Sequence, residues 1–313
     1  MVDFYCDLLK QHLVYEFTHG RFNRDIIFEV RSIVPNIDYI VNTVTTAVQK
    51  QINTTIEKGY ETTRIYTEKS FEIKNCFFNE FYFEVTFKIG DKPTYPGGFA
   101  PIESFIYSNK KKGYIFRPYI IIAITSNNFD DFCNKFKFSI AHELTHAYGF
   151  YQYCIEHGKP QSKDEILSYG LLKQQSAMNS GLNFKSMIGI LHYKLSFKEL
   201  NAFLGQLRQE LINNKDNIKD SQSAFNIIKD TNSYTKVFQD NKQKIEELCS
   251  ITDETNQQLI IKYTNQVANK KFTTYNQIVK YYQTKWYKWS KLYLTKASKI
   301  AYDVFDEYGP IFT

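Results

Sequence analysis

Apolar residues change their spacing twice along this chain. Over roughly the first 19 residues they recur at helical intervals (Phe4, Leu8, Leu9, Leu13, Phe17), ending at Gly20. A short strand over 25–33 and a helix opening at Pro35 and running to about residue 57 are expected next. From Arg64 to Ile89 the period drops to two: Phe71 and Ile73, then Phe81, Phe83, Val85, Phe87 and Ile89, with Lys74-Asn75 as the turn between. The segment from Gly90 to Ala100, with Pro93, Pro96, Gly97 and Gly98, reads as a loop. Tyr114 to Thr125 is an apolar strand containing Tyr119-Ile120-Ile121-Ile122-Ala123-Ile124. Beyond Asn128 helical spacing takes over, including one long element from about Thr274 to Glu307.

Mixed α and β followed by all α predicts an α+β core with a mostly α-helical C-terminal half. The expected divisions are 1–60, a helix-strand-helix packed on the core; 61–215, the core itself; and 216–313, a helical region. With 43% apolar and 23% charged residues over 313 positions, the chain can bury a substantial core, which excludes intrinsic disorder.

No run of about 18 apolar residues is present, so no membrane span is expected. The opening MVDFYCDLLKQHL carries acids where a signal peptide has basic residues, and is expected to be an amphipathic helix of the mature fold. Five cysteines without a C-x-x-C pair argue against a disulfide framework and a Cys-based zinc knuckle. An intracellular, cytoplasmic chain is the expectation. The net charge of +6 comes from 33 Lys against 6 Arg, and dedicated nucleic-acid readers lean on the planar fork of Arg. The run Lys110-Lys111-Lys112, followed by Gly113, reads as a solvated turn. A specific nucleic-acid partner is not expected.

The residues that carry chemistry lie in Ser139-Ile140-Ala141-His142-Glu143-Leu144-Thr145-His146-Ala147-Tyr148-Gly149. His142 and His146 are four apart, so a helix sets them on one face about 40° apart. Their ring nitrogens can then converge on a single ion at about 2.0–2.1 Å. Glu143 faces a water at the ion rather than the ion, placed to take its proton as general base. The rival reading is a pair of core or surface histidines.

H-E-x-x-H inside an amphipathic helix, after an apolar strand, resembles the zincin metallopeptidases. The resemblance implies a zincin-like core of mixed or antiparallel sheet plus the H-E-x-x-H helix over 61–215. It also implies bound Zn2+ and hydrolysis of a peptide or protein substrate. In that family the strand before the motif helix borders the cleft and takes substrate as an added strand; Tyr114 to Thr125 stands in that place. Metzincins read H-E-x-x-H-x-x-G-x-x-H; here Gly149 is in place, but Gln152 stands where the third His belongs.

His157 would lie about 15 Å or more beyond His146 on a continuous helix, and with Gly158 and Pro160 it reads as a helix stop. Cys133 is too far upstream for a deformylase-like ligand. Gluzincins take a Glu from a later helix, and Glu165, Glu199 and Glu210 are available. Glu199, in Leu195-Ser196-Phe197-Lys198-Glu199-Leu200-Asn201-Ala202-Phe203, is similar to the third ligand of ImmA/IrrE-like and phage-encoded zincin peptidases. Its rival role is structural: Ser196-x-x-Glu199 is also a capping box. Glu165, His157 and His192 stay open as alternatives. Tyr148, His192 and Tyr193 are possible oxyanion donors, and none is singled out.

Two functions from different classes follow. One is a gluzincin-type zinc peptidase with His142, His146 and Glu199 as ligands and Glu143 as base. The other is a structural or assembly component of a larger complex, such as a phage particle, with or without residual activity. The Lys/Tyr-studded C-terminal helix, the aromatic richness and the AT-rich-like codon bias suit the second, and incorporation in a virion is one setting. An intact Glu143 speaks for catalysis.

Overall fold

The computed structural model describes residues 62–70, 80–89, 98–99, 105–108, 113–116, 119–126, 129–157, 180–219 and 221–308, with six single residues between 38 and 50. Those six are all helical, inside the helix expected over 35–57. The first helix, the strand over 25–33, Phe71, Ile73 and the Lys74-Asn75 turn, the tri-lysine and Glu165 lie outside the described residues; of the loop expected over 90–100, Gly98 and Phe99 instead form a short strand and the rest lies outside them. Among the described residues, those up to His157 belong to one compact unit and those from Ser180 onward to another.

The first unit carries six strands: β1 (Thr62–Ser70), β2 (Glu80–Ile89), β3 (Gly98–Phe99), β4 (Phe105–Ser108), β5 (Gly113–Phe116) and β6 (Tyr119–Ser126). Their ladders run β1-β2-β6-β3, with β4 and β5 paired separately. β1 and β2 are antiparallel, Ile65 opposite Val85, whereas β2 and β6 are parallel, Val85 beside Ile122. β3 closes antiparallel on β6 at Ile120 and Ile121. Helix α1 (Phe129–His157) follows β6 and packs on β6 and β3. It runs 29 residues straight through Gly149. Phe136, Ile140, Ala141, Leu144 and Ala147 are buried along it at the three- and four-residue spacing of one face.

The second unit is helical: α2 (Asn183–Lys194), α3 (Phe197–Asn213), α4 (Ser221–Asp230), α5 (Asn232–Thr235), α6 (Asn241–Cys249), α7 (Glu254–Ala268) and α8 (Tyr275–Tyr308). A π-helical turn, Lys236–Asp240, joins α5 to α6. Starts are set locally: Ser196, Thr231 and Asp253 each accept the backbone N–H three residues ahead, which satisfies one donor that the first helical turn leaves open. α8 buries Ile278, Tyr282, Trp286, Trp289, Tyr293, Leu294, Ala297, Ile300, Ala301 and Val304. α3 packs along it through a face that includes Leu200, Leu207 and Leu211, all at 0% exposure. Trp289 Nε1 donates to the Ser196 carbonyl at 2.9 Å, and Arg208 meets Glu307 at 2.6 Å, so α8 grips both ends of α3.

The expected α+β, zincin-like core is corrected by this arrangement. Residues whose side chains are described are 87% helical, and none of them lies in a strand. The described core, from Val41 to Val304, sits on helices or on the turns beside them. A period of two shows which residues share a strand face, but not what fills the interior. Among the described side chains, the buried ones lie on helix faces or the turns beside them. β6 also differs from an open edge strand, because Ile120 and Ile121 are paired on both sides, by β2 and by β3. Among the described residues, no helix is long and apolar enough to cross a membrane.

Candidate metal centre

His142 and His146 lie in the middle of α1, one turn apart on the same face, and both are half-buried. Their rings meet edge to face, with centroids 4.9 Å apart at 80°. Ile140, Ala141, Leu144 and Ala147 bury the adjoining face of the helix, which anchors the backbone carrying the histidines. Glu143, directly after His142, is also half-buried. Thr145 Oγ1 donates back to the Ala141 carbonyl at 2.8 Å, so its hydroxyl is turned to its own helix.

Glu199 is the third residue of α3 and only 4% exposed. The capping box is half-formed. Ser196 Oγ accepts the Glu199 N–H at 3.3 Å, but the Ser196 N–H donates to the Tyr193 carbonyl at 3.0 Å. The Glu199 carboxylate therefore does not make the reciprocal bond of that motif. Its charge reaches Lys194, where it works with Asp240 against the burial that lowers that amine. Burial alone lowers the Lys198 amine to about 8.

His142 and His146 each offer a ring nitrogen from the face of α1 that they share, and Glu199, in the other unit, is a buried carboxylate that could serve as a third ligand. Two imidazoles and a carboxylate form a donor set suited to Zn2+, leaving the fourth position of a tetrahedron for water or substrate.

The other candidates are placed differently. His157 ends α1, eleven residues past His146 on an unbroken helix, a rise of about 16 Å. His192 stands edge-on to Tyr282, 6.3 Å between centroids, and burial and the charge of Lys285 lower it to about 4. Glu210 accepts from Gln206 Nε2 at 2.9 Å and from the Ser233 N–H and hydroxyl, so its carboxylate serves the start of α5. Nothing in the local sequence marks Ser233 as its partner, because the contact spans 23 residues. Comparison with family models, curated proteins and solved structures finds no match to this chain.

Proposed function

We propose that this protein is a zinc-dependent peptidase, with His142, His146 and Glu199 as the metal ligands and Glu143 as general base. The observation that carries the reading is the pair of half-buried imidazoles on one face of α1, ring centroids 4.9 Å apart, with Glu143 next to His142 in H-E-x-x-H register. The motif and donor set resemble those of gluzincins; the reading rests on them and not on a shared fold.

Bound Zn2+ would supply Lewis acidity, polarising the scissile carbonyl and acidifying a water. The chain's own part is proton handling and placement. Glu143 takes a proton from the attacking water and delivers it to the leaving amine, so one carboxylate serves both halves of the reaction. α1 holds that carboxylate on the turn that carries both imidazoles, so no loop movement is needed to bring the base to the two histidines. Burial of Glu199 keeps its carboxylate from bulk water, which strengthens its attraction for a cation.

The test is metal analysis joined to a peptide-library assay. One equivalent of Zn2+ should copurify and be lost in His142→Ala and His146→Ala. Glu143→Gln should keep the metal and the fold but abolish hydrolysis, since an amide cannot accept the proton. Unchanged metal content in both histidine variants would refute the ligand assignment. A metal-replete wild type that cleaves nothing in the library would favour the structural or assembly role.

A further inference from the structure

A second group of polar side chains gathers where α7 packs against both α2 and α8. His192 of α2 meets Tyr282 of α8 edge to face, and Tyr282 and Thr264 of α7 are both at 0% exposure. The Thr264 hydroxyl stands close enough to act on the Tyr282 phenol, yet among the described residues neither hydroxyl makes a well-formed hydrogen bond. His192 Nδ1 and, one turn beyond Tyr282, Trp286 Nε1 are likewise buried without a partner among the described residues. Orphaned polar atoms in one neighbourhood call for a ligand or solvent, because each costs its full desolvation penalty if left unpaired.

The charge balance narrows the choice. Lys285, half-buried on the same stretch of α8, stands 5.8 Å over the Tyr281 ring, and its charge reaches His192. Burial lowers Lys285 to about 8, and among the described residues no carboxylate acts on it or on His192. At neutral pH the group therefore combines one ammonium, an uncharged imidazole and two hydroxyls that can donate. Trp286 Nε1 can only donate. A water could satisfy the hydroxyls but would leave the partly desolvated ammonium without a counter-charge. An oxyanion accepts from all of these donors and supplies that charge.

We propose that His192, Thr264, Tyr282 and Lys285 form a binding site for a small oxyanion, either a carboxylate or a phosphate. Lys285 provides the charge at the solvent side, and the Tyr282 and Thr264 hydroxyls provide donors at the buried end. The site uses none of the proposed metal ligands, so it stands or falls separately from the peptidase reading.

The experiment follows the Tm of the full chain against acetate and against inorganic phosphate, at constant ionic strength balanced with chloride. One of the two should give a saturable rise, as expected when a ligand binds the folded state. Which one does so separates the carboxylate from the phosphate. Lys285→Gln should abolish the rise and Tyr282→Phe should weaken the apparent affinity at least tenfold. Lys288→Gln, an exposed lysine on the same helix, should leave it intact. Thr264→Val serves as a second buried-end variant should Tyr282→Phe fail to fold. No saturable rise with either anion, or an equal rise in Lys285→Gln, would overturn the proposal.

Discussion

Ser196 caps Glu199, and Glu199 does not cap Ser196. The hydroxyl accepts the Glu199 N–H at 3.3 Å, while the Ser196 N–H is given to Tyr193. Backbone and carboxylate of Glu199 thus have separate roles, and substitutions separate them. Ser196→Ala should lower stability by about 1 kcal/mol, the usual worth of an N-cap, and leave Zn2+ content unchanged. Glu199→Gln should lower Zn2+ affinity steeply while the metal-free protein stays folded. Metal stoichiometry and urea unfolding of the two variants check both; equal metal content in wild type and Glu199→Gln would remove Glu199 from the ligand set.

Glu210 provides a pH signature within the helical unit. Burial raises its carboxyl above the ordinary 4.5, against hydrogen bonds from Ser233 and Gln206 that favour the anion. A carboxyl with a raised folded pKa contributes stability that is fully present below the unfolded value and is lost as pH rises through the folded value. Its contribution should decline from about pH 4.5 upward. Glu210→Gln should flatten that part of the profile, measured as urea midpoints from acid to neutral pH. An identical slope in the variant would show that Glu210 is ionised as readily folded as unfolded.

His192 acts in the opposite direction. Its folded pKa is lowered from 6.5 to about 4 by burial and by Lys285. The stability linked to the neutral ring is present above the unfolded value and is lost as pH falls from 6.5 through about 4. His192→Gln should lack this acid-side loss. NMR titration of the imidazole is the direct check, and a midpoint near 6.5 would contradict it.

The turn between α7 and α8 rests on two asparagines. Asn269 ends α7 in the left-handed region, at φ 50° and ψ 50°. Asn265 reaches across the turn, donating to the Phe272 carbonyl at 2.9 Å and accepting the Phe272 N–H at 2.7 Å. Asn269→Ala should cost about 1 kcal/mol, because a Cβ residue without a local polar group resists positive φ, whereas Asn269→Gly should be neutral or slightly stabilising. Asn265→Ala should cost about 1–3 kcal/mol through its two lost bonds. Thermal unfolding of the three variants would show the order; Gly below Ala at position 269 would contradict the left-handed turn.

Local signals in the chain are legible where their cause is local. The helical spacing expected from about Thr274 to Glu307 corresponds to α8, Tyr275–Tyr308. The alternating Phe81, Phe83, Val85, Phe87 and Ile89 lie on β2, and Ser196, before an amphipathic run, begins α3. Caps, turns and periodicity act over a few residues, so they can be recovered without knowing what packs against them.

The sequence by itself determined the H-E-x-x-H pair on one helical face, the existence of the helical C-terminal half and the short set of carboxylates that could complete a ligand group. Tertiary structure alone decided the rest. It buried Glu199 to 4% exposure and bound Glu210 to Ser233. It set β6 between β2 and β3, and chose which helix faces carry the described core. The physical reason is range. A carboxylate's partner, a strand's neighbours and the filling of a core depend on contacts between residues tens of positions apart, and these are selected by packing and desolvation of the whole chain, which no local spacing records.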